Sequence, residues 1–461
     1  MSMFYLFDRT NIFHESEKSY TRDLFLFLLL STFLVGFLGL EKAKAPRRRP
    51  AHTPTKSDTL LPSTSSDAEA SADLNTSQDV ATFADVNLLS REQTEEWKGW
   101  MQVGFLLYHY FNAGEWYNLI RIYIAAYIWM TGYGNFSYYF AKDDFSFKRF
   151  LQMFWRLNFF VTVCCLVLNN SYMLYYICPL HTLFTILVYI TLWIGHHNNR
   201  NAKFMLAKFG GILLVVISVW HIPGLFKLLN YPVYWLVSFK DPLARDPRDP
   251  LHEWEFRSKL DHLVWIWGML CAWQYPRFQA YLFSLDRIPS TLQRTGVLAV
   301  VSAVCLTGLY VWYDQLFLLS KYDYNAWHPY TSFLPITLYI CLRNLTPTLR
   351  SWNMGMFHQI GKWTLETYIA QFHIWMRTDI ADGSPKKLLA LLPGYPLVNF
   401  FVVSALYLYL SYRIFVLTGT FRDALIPLED VSNADLAKRL AVFALALGVV
   451  FGLAHGALQL F

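Results

Sequence analysis

The sequence predicts an all-α, polytopic transmembrane helical bundle with about ten to twelve spans. Hydrophobic residues make up 55% of the 461 residues and aromatic residues 18%, which is more apolar than an ordinary soluble domain. Long apolar runs recur along most of the chain and do not alternate with polar residues, as the strands of a barrel would. Helices are therefore the expected way to satisfy every backbone group inside lipid.

Four segments follow from the changes in composition. They are a polar N-terminal segment (1–23), an anchor helix (24–40), a disordered linker (41–90) and a multi-span membrane domain (91–461). The anchor run is long enough to span and is followed by no small-residue cleavage site, which favours an anchor over a removed signal peptide. The linker is rich in Pro, Ser, Thr and Ala, and its basic residues at 42–49 favour a cytosolic side. Ser90 is the expected cap of the first helix of the membrane domain, with Gln93 in the capping-box position.

Eleven apolar stretches are candidate spans. They are Trp100–Phe111, Leu119–Gly132, Phe150–Leu168, Tyr172–Ile194, Phe209–Trp220, Leu263–Ala272, Val297–Leu319, Pro329–Leu342, Phe357–Met376, Pro396–Thr418 and Leu440–Gln459. Several are shorter than the roughly 20 residues of a perpendicular crossing, so some spans are expected to be tilted, broken or re-entrant. The charged stretch Lys240–Asp261 is expected to be a solvated loop.

Charge and cysteine usage exclude several functions. The formal charge of +6 is modest and lies in the loops, so nucleic acid is not an expected partner. The six cysteines lie in or beside apolar runs without metal-ligand spacing, which predicts neither a metal site nor a disulfide framework. Membrane lipid is the surrounding partner that the composition does predict.

Glu366 and His373 lie inside an otherwise apolar stretch of helical length. Seven residues are close to two helical turns, so both side chains are expected on one face, roughly 10 Å apart along the axis. Ionisable groups at membrane depth are costly unless they line a cavity or have a partner. We therefore expect His373 to act as a base, with Glu366 supporting it across a cavity.

Two further stretches place polar groups between apolar runs. The first contains His109, Asn112, Asn118 and Arg121, with Asn112 spaced to orient His109 on one helical face. Together these polar groups favour a polar pocket. Each residue taken singly would be explained by capping or snorkelling at the membrane–water interface. In the second stretch Pro179 is expected to kink a helix just before His181, which either lines a cavity or bonds to a freed carbonyl.

A basic stripe is predicted at the mouth of one span. Lys148 and Arg156 are eight residues apart with Gln152 midway, so all three share one helical face. Such a stripe suits the phosphates of a nucleotide-type donor, although the positive-inside tendency explains it equally well.

These groups fit two kinds of chemistry. Acyl transfer from a thioester to a hydroxyl needs a base for the hydroxyl and donors for the developing oxyanion, and His, Asn and Arg supply them. A proton-coupled transporter would use the same residues. The sequence leaves both open.

Several of these motifs resemble the plant reduced wall acetylation proteins, from about Thr94 to Pro427. The similar stretches are Trp97–Val103, Leu107–Phe111, Tyr117–Arg121, Trp129–Tyr138, Trp155–Phe159, Tyr175–Phe184, Leu251–Trp254, His328–Ser332 and Glu366–His373. That family shares its multi-span domain with fungal capsule O-acetylation proteins and animal sialate O-acetyltransferase.

The resemblance implies a multi-pass Golgi membrane protein that passes acetyl groups from acetyl-CoA toward wall polysaccharides such as xylan. Acetyl-CoA is then a donor substrate, and no bound cofactor is expected. Fungal and animal relatives carry a hydrolase-like domain before the membrane domain, whereas only the anchor and linker precede Thr94 here. The acceptor is therefore reached directly or through separate luminal acetyltransferases. A carrier that moves acetyl-CoA or an acetyl intermediate across the membrane is the alternative.

By position, the resemblance implies two groups of site residues. The catalytic candidates are His373, Glu366, His109 and His181, and those for donor binding or oxyanion stabilisation are Arg121, Asn118, Arg156 and Lys148.

Overall fold

A computed structural model describes residues 1–42, 88–242, 249–427 and 432–459. Most of the linker and of its basic residues therefore lies outside the described residues. The helices are α1 Ser2–Arg9, α2 Arg22–Leu38, α3 Arg91–Phe111, α4 Tyr117–Lys142, α5 Phe147–Leu168, α6 Ile177–Trp193, α7 Ala202–His221, α8 Leu225–Asn230, α9 Tyr234–Val237, α10 His252–Leu260, α11 Val264–Asp286, α12 Thr291–Trp312, α13 Lys321–Thr331, α14 Phe333–Arg343, α15 Pro347–Ser351, α16 Gly355–Lys362, α17 Thr364–Ala370, α18 Pro396–Leu425 and α19 Asn433–Gln459. The strands are β1 His14–Glu17, β2 Leu40–Lys42, β3 Trp352–Met354, β4 Met376–Arg377 and β5 Lys387–Ala390.

The prediction of a mostly helical, multi-span membrane protein is confirmed. Within the described residues, five helical stretches are long and apolar enough to cross a membrane: Phe147–Leu168, Ala202–His221, Thr291–Phe317, Pro396–Leu425 and Asn433–Leu453. Most of their side chains remain exposed, which suits helices whose outer face meets lipid. The lipid-facing helices thus surround an interior formed mainly by α3, α4, α6, α11, α16 and α17.

Two glycine-mediated crossings hold this interior together. Gly99 and Gly361 lie against backbone carbonyls where α3 meets α16, and a Cβ at either position would overlap them. Gly132 and Gly268 do the same where α4 meets α11. Small residues let helices approach closely when both sides are apolar, because packing rather than hydrophobic burial drives association in lipid. These crossings fix α3 and α4, the helices that carry His109 and Arg121.

The N-terminal segment is folded onto the membrane domain. Strand β1 pairs with β5, and β5 pairs with β4, all antiparallel. Phe4 and Phe7 of α1 are buried, and Arg9 donates to the carbonyls of Thr378 (2.8 Å) and Ile380 (2.6 Å). This docking places α1 against the wide turn that follows α17.

Two predicted spans are broken in the structure. The run at 172–194 begins as a 3-10 turn, Tyr172–Tyr175, before α6 starts at Ile177. The run at 357–376 divides into α16, α17 and a π-helical turn, Gln371–Trp375. Because a π turn contains more residues than an α turn, it rotates the side chains that follow it relative to α17. His373 lies within this turn, so the spacing of an uninterrupted α-helix no longer fixes its direction relative to Glu366.

The prediction of a solvated loop at 240–261 is wrong for the last part of that segment. Residues 252–260 form α10, and Asp261 and His262 just beyond it are fully buried. Trp254, Ser258 and Leu260 face the interior and draw the end of the segment inward. Buried charge needs a partner, and Asp261 has one in the ion pair described below.

Candidate active site

His109 lies in the last turn of α3 and is half-buried. Helix α3 ends because Asn112 adopts a left-handed conformation (φ 56°), which asparagine tolerates better than most residues. Asn112 therefore caps the helix. The partner of His109 is instead Gln371, whose side-chain oxygen lies 3.1 Å from Nδ1.

This contact fixes the proton on His109. The Gln371 amide nitrogen donates to the Tyr368 carbonyl (3.0 Å), so its oxygen faces the imidazole. An amide oxygen only accepts, hence Nδ1 carries the proton and Nε2 has the free lone pair. No hydrogen-bond partner for Nε2 is present in the described part of the chain. The geometry thus presents a neutral imidazole with its basic nitrogen available.

Four more half-buried side chains complete what we call the His109 cluster: Tyr108, Tyr176, Arg257 and Lys18. The Arg257 guanidinium stacks on the Tyr176 ring at 3.9 Å, and both Lys18 and Arg257 interact electrostatically with His109. Lys18 lies between β1 and α2, where burial lowers the pKa of its ammonium to about 8. The cluster therefore combines a base with two cationic groups and two phenols.

His373 forms a second, sealed arrangement. Its Nδ1 donates to Asp8 (2.8 Å), and its Nε2 accepts from the Tyr175 hydroxyl (2.5 Å), which in turn accepts from Asn170 (3.0 Å). His373 is 1% exposed, and Asp8 and Tyr175 are 0% exposed. The Phe372 ring lies 6.4 Å from the ring of each histidine. His109 and His373 are thus neighbours, but only His109 has an available nitrogen.

Glu366 and Arg156 bind each other. Arg156 makes a bidentate pair with the Glu366 carboxylate, in which Nη2 lies 3.0 Å from Oε2, and also donates to the Lys362 carbonyl (3.1 Å). The carboxylate that is hydrogen-bonded to His373 belongs to Asp8 of α1. Asp8 therefore has the position beside the imidazole that was expected for Glu366. The positive charge of Arg156 is neutralised, because its guanidinium already binds the Glu366 carboxylate.

Arg121 and Asn118 also have protein partners. Arg121 pairs with Asp261 at 2.7 Å, and the other carboxylate oxygen of Asp261 lies 3.5 Å from His328 Nε2. All three side chains are at most 4% exposed. Asn118 donates to the carbonyls of Phe317 (2.7 Å) and Leu319 (3.0 Å). Both residues thus connect α4 to neighbouring segments, and Arg121 uses only its Nη2 atom to do so.

The last two predicted residues are His181 and Lys148. His181 Nδ1 is hydrogen-bonded to Thr131 Oγ1 at 2.6 Å, and the ring interacts electrostatically with Asp261. Lys148 lies in the first turn of α5, two turns before Arg156. The predicted site residues therefore separate into several places, of which the His109 and His373 arrangements adjoin.

Sequence reasoning missed several residues of these arrangements. Asp8 lies in a segment that reads as merely polar, and its contact with His373 spans 365 positions in sequence. Arg257 lies in the expected solvated loop, and Gln371 stands between two aromatic-rich stretches with no spacing signal. Tyr175 and Gln371 both lie within stretches that resemble the family, but the resemblance gave neither of them a role. Among the described residues, no group of three His, Cys, Asp or Glu side chains could hold a metal ion.

Comparisons with known proteins bear on this arrangement. The family model described as a 10 TM acyl transferase domain found in Cas1p matches residues 77–439. The chain is 31% identical over 467 residues to N-acetylneuraminate (7)9-O-acetyltransferase of Danio rerio, covering 95% of this chain and 51% of that protein. It thus spans about half the length of this relative. No solved structure matches the chain.

Proposed function

Because the chain belongs to the family of 10-TM acyltransferase domains found in Cas1p, we propose that it is a membrane O-acetyltransferase that uses His109 as its base. The observation that carries this proposal is the free Nε2 lone pair of a half-buried histidine whose tautomer Gln371 fixes. A base must reach the proton that it removes, and His109 meets this requirement where His373 does not.

In the proposed reaction, His109 Nε2 accepts the proton of a sugar hydroxyl. The hydroxyl oxygen attacks the thioester carbonyl of acetyl-CoA, a new C–O bond forms and the C–S bond breaks. The protonated imidazole then returns its proton to the leaving thiolate, so the products are an O-acetyl ester and free CoA. A base positioned in this way contributes about 10²- to 10⁴-fold to a rate.

The proposed donor is cytosolic acetyl-CoA, and the proposed acceptor is a wall polysaccharide such as xylan in the Golgi, reached directly or through a luminal acetyltransferase. The motif resemblance to plant reduced wall acetylation proteins supports this acceptor. The Danio rerio relative, an N-acetylneuraminate (7)9-O-acetyltransferase, supports a sugar hydroxyl as the acceptor more generally. We assign the pair of Arg156 and Glu366 a positioning role between α5 and α17, because each satisfies the other.

The test uses the purified full chain in vesicles with acetyl-CoA labelled separately in the acetyl group and in CoA. Transfer predicts release of free CoA outside and appearance of the acetyl label on an added oligosaccharide or luminal acceptor. Uptake of both labels together, with the thioester intact, would replace transfer by transport. Vesicles carrying the His109→Gln variant are the control, and we expect them to release CoA only at the background rate.

A further inference from the structure

Arg257 is held in a geometry that prepares it to bind an anion. Its guanidinium stacks on the Tyr176 ring at 3.9 Å, and its Nε donates to Glu253 at 2.9 Å. In the described structure the two Nη atoms have no hydrogen-bond partner. The side chain retains 29% of its exposure, so this edge is accessible. Stacking fixes the plane of the guanidinium and leaves its free edge for parallel in-plane bonds.

Other interior arginines are not available in this way. Arg121 is paired with Asp261 and Arg156 with Glu366, and both carboxylates are fully buried. The carboxylate beside Arg257 is different, because the Glu253 side chain is 34% exposed and occupies only the Nε edge. Solvent therefore screens Glu253, while the opposite edge of the guanidinium stays unpaired.

The position of Arg257 relates this free edge to the proposed base, His109. Arg257 and His109 interact electrostatically, and Lys18 supplies a second cationic group to the same imidazole. Tyr176, on which Arg257 stacks, directly follows Tyr175 in the turn before α6. The Tyr175 ring lies 5.6 Å from the Phe372 ring, which lies 6.4 Å from the His109 ring, so an anion on the guanidinium would lie in the same region as the proposed base.

We infer that Arg257 is a substrate-binding residue that holds an oxyanion group through its two Nη atoms. The ligand chemistry is a phosphate or carboxylate able to accept two parallel N–H bonds. Two substrates carry it: the donor, through the diphosphate of CoA, and an acidic acceptor sugar, through its carboxylate. The role as a substrate site rests on the proposed function, whereas the binding of an anion does not.

The experiment measures binding apart from turnover. Purified full-length protein and its Arg257→Gln and Arg257→Lys variants are titrated with labelled acetyl-CoA and with S-acetylpantetheine, which lacks phosphates. If the diphosphate is the ligand, Arg257→Gln weakens acetyl-CoA binding about 10- to 100-fold, the effect of losing charge-assisted hydrogen bonds, and leaves S-acetylpantetheine unchanged. The affinity of Arg257→Lys for acetyl-CoA should lie between those of the parent and Arg257→Gln, because lysine keeps the positive charge but cannot make the two parallel hydrogen bonds of a guanidinium.

The second arm tests the carboxylate. If the acceptor supplies the anion, acetyl-CoA binding is unchanged, while binding of an acidic oligosaccharide weakens by a similar factor and that of a neutral one does not. The matched control is Arg149→Gln, which removes another stacked arginine, 3.8 Å from the Tyr138 ring. Variants of Arg257 that elute as folded protein yet bind every probe like the parent would overturn the inference. A parent protein that binds these anions through Arg257 but releases no CoA would instead contradict only the proposed function.

Discussion

The two histidines whose rings lie near Phe372 have opposite environments. His109 is half-buried, is hydrogen-bonded at one nitrogen only and interacts electrostatically with two cationic side chains. His373 is buried and hydrogen-bonded at both nitrogens, with a carboxylate on one side and a phenol on the other. A histidine with both nitrogens occupied resembles a catalytic relay yet has no position left for a substrate. The two histidines therefore differ more clearly in whether a substrate can reach a ring nitrogen than in the kinds of partner they have.

The difference also assigns a role to each. Asp8, His373 and Tyr175 connect α1, the turn after α17 and the turn before α6, three segments distant in sequence. We therefore interpret the His373 arrangement as a positioning element. It fixes Gln371 two residues earlier, and Gln371 in turn orients His109.

The largest expected effect separates the histidines by activity. We expect His109→Gln to lower CoA release about 10³-fold, because a general base is lost, without lowering the melting temperature. Turnover of labelled acetyl-CoA and thermal melting in detergent measure both quantities. His197→Gln is the matched control, because His197 is exposed and far from the cluster in sequence. Retained turnover in folded His109→Gln protein would remove His109 from the mechanism.

The next expected effect concerns stability and distinguishes the His373 arrangement from His109. We expect Asp8→Asn to lower the free energy of unfolding by about 2 kcal/mol, because the carboxylate accepts from both His373 and the Thr378 amide. The melting temperature should fall accordingly. Asp23→Asn, at an exposed position in the first turn of α2, is the control. An unchanged melting temperature for Asp8→Asn would mean that the sealed arrangement does not stabilise the fold.

Much of the architecture was accessible from the sequence, whereas the partners of the site residues were not. Apolar runs located most spans, and Ser90 caps α3 as expected, accepting from Gln93 at 3.2 Å. The expectation that Glu366 and His373 share one face assumed an uninterrupted α-helix, and no residue pattern announced the π turn that contains His373. The contacts of Asp8 and Asp261 depend on segments that fold back from far along the chain, and local spacing carries no information about them.

A smaller effect tests the connection between the two arrangements. Gln371→Leu removes the acceptor that fixes the His109 tautomer but leaves the imidazole in place. We expect kcat to fall about fivefold, since one hydrogen bond contributes about 1 kcal/mol. KM for acetyl-CoA should stay unchanged, because Gln371 is fully buried and does not meet the donor. Gln371→Glu, which keeps an acceptor, should retain more activity than Gln371→Leu, and the reverse order would contradict this role.

The smallest expected effect concerns His181. Its hydrogen bond to Thr131 is a single neutral contact, so we expect His181→Gln to change turnover less than about threefold. Steady-state kinetics under the conditions used for His109→Gln provide the comparison. A loss as large as that of His109→Gln would extend the site to His181 and weaken the contrast between open and sealed histidines.

Chemical modification of the folded protein with diethyl pyrocarbonate, mapped by peptide mass spectrometry, tests the central claim most directly. The reagent acylates an accessible, unprotonated histidine nitrogen. We predict that His109 is modified in step with the loss of CoA release, that acetyl-CoA protects it, and that His373 reacts only after denaturation. Rapid modification of His373 in the folded protein, with His109 unreactive, would contradict the account.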